Sequence, residues 1–381
     1  MIKKASLVTL VICLSLALIR PGFIRAQNEL AVVDSSAQVV FSLAISFSLA
    51  AESDVDIIDI RLHYRVDRMS FAPVTSEAYV EFQPAPAVTT SWSLEMVRIG
   101  GLPPGSSVEY WWTVEDDKNN KVATTPAKVS FEDSRYSWQS LTEGRVTLYW
   151  YQGDETFARE LLATVGQALE SLKEYTGAEL EEPVKLYIYA NAQDLQGSMI
   201  YPQEWTGGVA FTRYGIMAIG ISADNLDWGK GAIAHELTHL VIHQVTLNPY
   251  SDLPVWLDEG LAMHSEGALE PVLQDYLKGA IATDRLISVR SLSSPFSAYA
   301  GEAALSYAQS YSLVEFLITS YGQDKMFSLL STFREGATYD GALEKVYGFD
   351  MDGLDERWHE WLTQPEPSVL KLEPALVGVG Y

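Results

Sequence analysis

The chain has a single cysteine in 381 residues, Cys13. It falls inside an N-terminal segment that reads as removable, so the remaining chain is expected to lack disulfides, thiol nucleophiles and Cys-ligated metals. Positive charge is also scarce, with 26 Lys and Arg against 50 Asp and Glu, a formal net charge of −24. A surface this acidic argues against binding nucleic acid or an anionic membrane through simple electrostatics. No Asn-x-Ser/Thr sequon occurs, which favours bacterial secretion over a eukaryotic route. Aromatic residues, in contrast, are plentiful. The 10 Trp, 13 Phe and 20 Tyr supply too much apolar area for a disordered chain.

Lys3 and Lys4 precede an uncharged, mostly apolar run from Ala5 to Ile19, which Arg20, Pro21 and Gly22 stop. That pattern is expected for a signal peptide over residues 1–26, with an uncleaved anchor as the alternative. A lipoprotein is disfavoured, because Ile12 and not a small residue precedes Cys13. Removing the segment takes away Lys3, Lys4, Arg20 and Arg25 but no acid. No integral membrane span is expected after its removal. The protein is expected to be secreted or to sit in the cell envelope, outside a bacterial cytoplasm.

Residues 28–133 read as all-β. Runs rich in Val, Ile, Phe, Tyr and Thr recur at Val39–Ala50, Ile57–Val66, Val108–Val114 and Val129–Phe131, between turns at Gly100–Gly105 and Asp116–Asn120. About seven strands in this length fit a β-sandwich. The segment Leu102-Pro103-Pro104-Gly105 followed by Tyr110 resembles the corner of immunoglobulin and fibronectin III-like modules. His63, in an alternating strand pattern, reads as a packing or surface residue.

From residue 138 the pattern turns to α+β and then to helices, with a domain expected over 138–364 and a short tail over 365–381. Arg145–Tyr151 reads as a strand. Asp154 caps a helix with Phe157, Leu161, Val165, Leu169 and Leu172 on one face, closed by Gly177. Val184, Leu186 and Ile188 alternate as in a half-buried strand. A hairpin is expected around Arg213-Tyr214-Gly215 and a helix over 228–245. Further helices are expected over 257–266, 270–281, 301–321, 324–334 and 351–362. Leu354, Trp358 and Trp361 or Leu362 form the inward stripe of the last helix.

The chemistry lies in His235-Glu236-Leu237-Thr238-His239, an HExxH motif inside the apolar helix of Ile233, Leu237, Leu240, Val241 and Ile242. Imidazoles four residues apart share a helix face, about one turn apart, and can hold one Zn²⁺. Glu236 sits about 100° round, where it can reach water without being a ligand. Val245 stands where a metzincin would have its third histidine. His243 is about 12 Å along the helix from His235 and reads as a packing or supporting residue. The candidate third ligand is Glu259, in Trp256-Leu257-Asp258-Glu259-Gly260-Leu261-Ala262, with nineteen residues between it and His239.

HExxH followed by W-L-x-E-G-x-A resembles the gluzincin metallopeptidases, and most of all the peptidase MA-like domains of secreted bacterial proteins, relatives of the thermolysin and aminopeptidase families. The resemblance covers residues 140–362. It implies one Zn²⁺ per chain on His235, His239 and Glu259, with Glu236 as general base and a peptide or protein as substrate. Tyr307-Ala308-Gln309-Ser310 stands in place of a Y-x-K-G segment, which implies an oxyanion-stabilising role for Tyr307, with Tyr311 as the alternative. Core packing is open for both tyrosines. Gly207–Phe211 has the glycines of the family's edge strand but no Glu to grip a free amino terminus, so cleavage within a peptide stays open. Asp258 is expected either to orient a ligand imidazole or to meet its helix's dipole. His264 and His359 read as structural. A zinc metallopeptidase is the leading reading. A surface-binding protein with a non-catalytic zincin passenger and a structural zinc protein are the alternatives.

Overall fold

The computed structural model describes residues 29–202, 206–222, 225–297 and 299–363. The expected signal peptide and tail lie outside the described residues. A β-rich region comes first, and a largely helical half follows.

The β-rich region holds β1 (Ala31–Val40), β2 (Ala44–Val66), β3 (Ser76–Tyr79), β4 (Ala85–Glu95), the short helix α1 (Met96–Ile99), β5 (Ser106–Asp116), β6 (Lys121–Ala123) and β7 (Ala127–Phe131). They form one seven-stranded sheet organised by the long β2. The first part of β2 pairs with β1 and β4, and its second part with β3 and β5. Ile45, Phe47 and Leu49 from one part and Ile60 and Leu62 from the other are buried in one core with Val108, Tyr110 and Trp112. The Phe47 and Tyr110 rings lie 4.9 Å apart. Each such side chain contributes about 2 kcal/mol through burial.

Two strand expectations change here. Val39–Ala50 is not one strand, because the chain turns between β1 and β2 with Leu43 N–H donating to Val40 O at 2.7 Å. The polar Glu52-Ser53-Asp54 does not break β2, because the Ser53 hydroxyl donates to buried Asp116 at 2.9 Å and keeps the strand in place.

The second half opens with β8 (Gln139–Glu143), β9 (Val146–Trp150), α2 (Glu155–Thr176), β10 (Val184–Tyr189), α3 (Ala192–Gln196), β11 (Gly208–Phe211) and β12 (Ile216–Gly220). The helices α4 (Leu226–Val245), α5 (Val255–Ser265), α6 (Pro271–Thr283), α7 (Val289–Leu292), α8 (Ala300–Tyr321), α9 (Gln323–Arg334), α10 (Tyr339–Tyr347) and α11 (Met351–Leu362) complete it. The five strands run in the order β11-β12-β10-β9-β8, which leaves β11 as an edge. β9, β10 and β12 are parallel, and β8 and β11 flank them antiparallel.

Asp154 caps α2 by accepting from Phe157 N–H at 3.0 Å, and Gly177 ends it in the left-handed conformation. β10 is not half-buried as expected, because both of its faces are covered. Val184, Leu186 and Ile188 join the core with Leu161 and Leu237, while Tyr187 and Tyr189 turn into an aromatic layer with Tyr136, Trp138, Tyr149 and Tyr151. That layer meets the β-rich region, where the Tyr189 hydroxyl donates to Asp133 at 2.9 Å and Lys185 to Gly105 O at 2.7 Å. α10 was not expected, since Gly341 interrupts its sequence pattern, yet the Thr338 side chain caps it. In α11, Leu354, Trp358 and Leu362 are the buried stripe. No helix among the described residues is long and apolar enough to cross a membrane.

Candidate metal centre

α4 is packed against β11, β12, α2 and α5. Ile233, Leu237, Leu240 and Val241 anchor it in the core. The remaining stripe carries His235 and His239, whose ring centroids are 5.0 Å apart. Pro254 precedes α5, which returns beside α4 and supplies Asp258 and Glu259 from its first turns.

The two imidazoles converge on one carboxylate oxygen. His235 Nε2 lies 3.6 Å and His239 Nε2 3.7 Å from Glu259 Oε2. Ligands at about 2.0–2.1 Å from a tetrahedral Zn²⁺ stand about 3.4 Å from one another, so this set is within a few tenths of an ångström of a zinc cradle. The opposite ring nitrogens are held by other carboxylates. His235 Nδ1–H donates to Glu266 Oε1 at 2.6 Å, and His239 Nδ1–H to Asp258 Oδ1 at 3.0 Å. Those bonds fix each ring with Nε2 facing Glu259, the usual arrangement of metal-binding histidines.

The charges point to a cation. Burial lowers the His235 pKa, but Glu259 and Glu266 raise it to about 10. Burial likewise works against His239, yet Asp258 and Glu259 raise it to about 9. Burial pushes Asp258 up, but His239 and His243 hold it far below the usual carboxylate range. Without a metal, protons on the imidazoles balance these carboxylates. A dication in the same place would displace them.

Glu236 does not join the ligand set. It lies over the start of β11, where a Cβ built on Gly208 would come 2.8 Å from Glu236 Oε1. Burial pushes its pKa up, against the pull of His235 and His239. Tyr307 on α8 faces the same cluster. Burial raises its pKa first, and the charges of Glu259, Glu236 and Glu266 add to the shift. Gly260 permits this approach, because a Cβ there would lie 2.4 Å from the Ser310 carbonyl oxygen, one turn beyond Tyr307. Tyr311 is turned elsewhere, buried in the core with its ring 5.7 Å from that of His264.

Asp258 both lies in the first turn of α5 and accepts from His239. Its second oxygen accepts from His243 Nε2–H at 3.0 Å, so His243 supports the site through Asp258. Sequence reasoning missed Glu266, whose one available signal was its position seven residues beyond Glu259, two turns on at the C-terminal cap of α5. His264 has a partner after all, donating to Glu315 at 3.0 Å. His63 bonds Thr113 at 3.0 Å on the β-sheet and is remote in sequence from the cluster.

A family model described as the Peptidase MA superfamily matches residues 164–364. No curated protein matches the chain. Among solved structures, the M1 zinc metallopeptidase from Deinococcus radiodurans aligns at 12% identity and a TM-score of 0.36, covering 92% of this chain and 97% of that one. A catalytically inactive OgpA from Akkermansia muciniphila, in complex with an O-glycopeptide, aligns at 11% identity and a TM-score of 0.21 over 29% of this chain and 30% of that one. A β-1,3-glucan binding domain of carbohydrate-binding module family 56 aligns at 18% identity and a TM-score of 0.16, over 25% of this chain and 95% of that one.

Proposed function

The chain belongs to the Peptidase MA superfamily, and from that premise we propose that it is a secreted zinc metallopeptidase that hydrolyses peptide bonds. The observation that carries the reading is the convergence of His235 Nε2 and His239 Nε2 on Glu259, with Glu266 and Asp258 behind the two rings. His235, His239 and Glu259 would hold the Zn²⁺. When bound, the ion supplies Lewis acidity that makes water nucleophilic near neutral pH and polarises the scissile carbonyl.

The chain's own groups do the rest. Glu236 takes the proton of the attacking water and passes it to the leaving amine. The Tyr307 phenol, kept neutral by burial and nearby carboxylates, donates a hydrogen bond to the developing oxyanion. The open edge of β11 binds an extended peptide by strand addition, which brings its backbone past Glu236. The reading also takes residues 1–26 as a cleaved signal peptide, 138–364 as the peptidase domain and 28–133 as an immunoglobulin or fibronectin III-like sandwich. Support for the sandwich is the way both parts of β2 turn one face into a shared core.

The test is a peptide-library digest read by mass spectrometry, comparing the zinc-loaded protein with its Glu236→Gln variant. Cleavage by the first, reduced at least about 100-fold in the second, is expected. The cut positions distinguish endo- from exopeptidase. No cleavage by either protein, with zinc bound to both, would overturn the peptidase reading.

A further inference from the structure

Most of α4 is buried, yet Trp228 near its start is 44% exposed. Its indole lies against the chain that enters the edge strand. A Cβ built on Gly207 would stand 2.7 Å from the ring, and one built on Gly208 would stand 2.8 Å from Glu236 Oε1. Neither glycine has a left-handed backbone, so their lack of side chains serves contact and not a turn. Trp228 and Glu236 therefore sit over successive residues where the chain enters β11.

Between Trp228 and His235 one face of the helix carries little bulk. Trp228, Gly231, Ala232, His235 and His239 share one face of α4 by the helical period. Trp228 precedes His235 by about 10 Å along the axis at about 1.5 Å per residue. Between the two, that face carries only Gly231 and Ala232. The indole closes one end. His235 and its partner Glu266 close the other, with Glu266 Oε2 lying 3.9 Å from a Cβ built on Gly231.

The lining selects the chemistry. Gly231 and Ala232 offer no hydrogen-bonding side chain. Lys230 is turned away to Glu160 at 2.7 Å, and Glu266 Oε1 is engaged by His235. What remains is the half-exposed indole at one end of a floor of small residues, with Glu266 Oε2 at the other end. We propose that Trp228 is a specificity-determining residue, forming the end wall of a subsite for a large apolar side chain that flanks the scissile bond. The inference rests on the peptidase reading and adds a substrate preference to it.

The experiment measures kcat/KM for peptides that vary one residue at a time on either side of a bond the zinc-loaded protein cuts. Phe or Leu is expected to be preferred over Ala at one flanking position by about tenfold or more. Trp228→Ala collapses that ratio to within about twofold, whereas Trp228→Phe keeps most of it. Gly207→Ala, whose methyl must displace the indole, collapses the ratio at the same position while zinc content stays at one per chain. A ratio unmoved by Trp228→Ala overturns the inference and leaves the peptidase reading standing. So does a wild-type preference for small, acidic or basic residues at every flanking position. No cutting at all by the zinc-loaded protein overturns the peptidase reading and the subsite with it.

Discussion

Each half of the molecule has a carboxylate held below the usual acid range by the hydrogen bonds it accepts. In the β-rich half, burial pushes Asp116 up, but Asn120, Ser53 and the backbone N–H groups of Lys118 and Asn120 outweigh it. In the helical half, His239 and His243 do the same for Asp258. Asp116 has neutral donors that keep their protons across the physiological range, so its network is complete and closes a turn. Both donors to Asp258 are imidazoles, and one of them, His239, faces Glu259 with its other nitrogen. An anion satisfied by amides and hydroxyls fixes a fold, whereas one satisfied by imidazoles responds to protons and cations.

The most severe way to break this comparison is Glu259→Ala. Zinc measured by elemental analysis after dialysis is expected to fall to background, with a loss of affinity beyond the roughly 10–100-fold typical of supporting residues. Zinc retained at one per chain would mean that the ligands lie elsewhere. Next in size, Tyr307→Phe is expected to lower kcat about 100-fold with zinc content unchanged, as for loss of one oxyanion donor. Tyr311→Phe is expected to act on thermal stability instead, and the reverse pattern would exchange their roles.

A finer test sets the two carboxylates directly against each other. Asp258→Asn and Glu266→Gln should each weaken zinc binding about 10–100-fold in competition with a chromophoric chelator. Asp116→Asn should lower Tm and leave zinc affinity unchanged. Equal effects of Asp116→Asn and Asp258→Asn on zinc would erase the distinction.

A last test is a pH dependence with opposite signs in the two metal states. The folded pKa values of His235 and His239, about 10 and about 9, lie above the ordinary 6.5. In the metal-free protein their contribution to stability is fully present below pH 6.5 and is lost as pH rises through about 9 and 10. Zinc needs both rings deprotonated at Nε2, so the stabilisation it adds should grow across the same window. Thermal melts with and without zinc from pH 6 to about 10 would measure the difference. A zinc increment that shrinks with rising pH would contradict the assigned protonation.

The ligand helix was legible because its chemistry is periodic. His235, His239 and the stripe of Ile233, Leu237 and Leu240 repeat at helical spacing, and Glu259 lies in a compact string with its own aromatic and glycine markers. Glu266 was not legible, because its bond to His235 joins residues 31 apart through the end of α5. His264 and Glu315, 51 residues apart, escaped for the same reason. Misjudging β10 had a different cause. Alternation reports that two faces differ, but Tyr187 and Tyr189 mark a second buried face that is aromatic instead of aliphatic. The long β2 was hidden by Ser53, whose polarity is answered across the sheet by Asp116.

A glycine inside a helix is ordinarily an invitation to improvement, since alanine with room for its methyl gains about 1 kcal/mol there. Gly260 declines it. The added methyl would collide with the Ser310 carbonyl oxygen, and relief would have to come from prising α5 away from α8. The helix that bears Glu259 would then recede from the helix that bears Tyr307. The gauge of the cleft is thus set by a missing methyl group, and any effort to toughen this protein has to leave that helix as supple as it is.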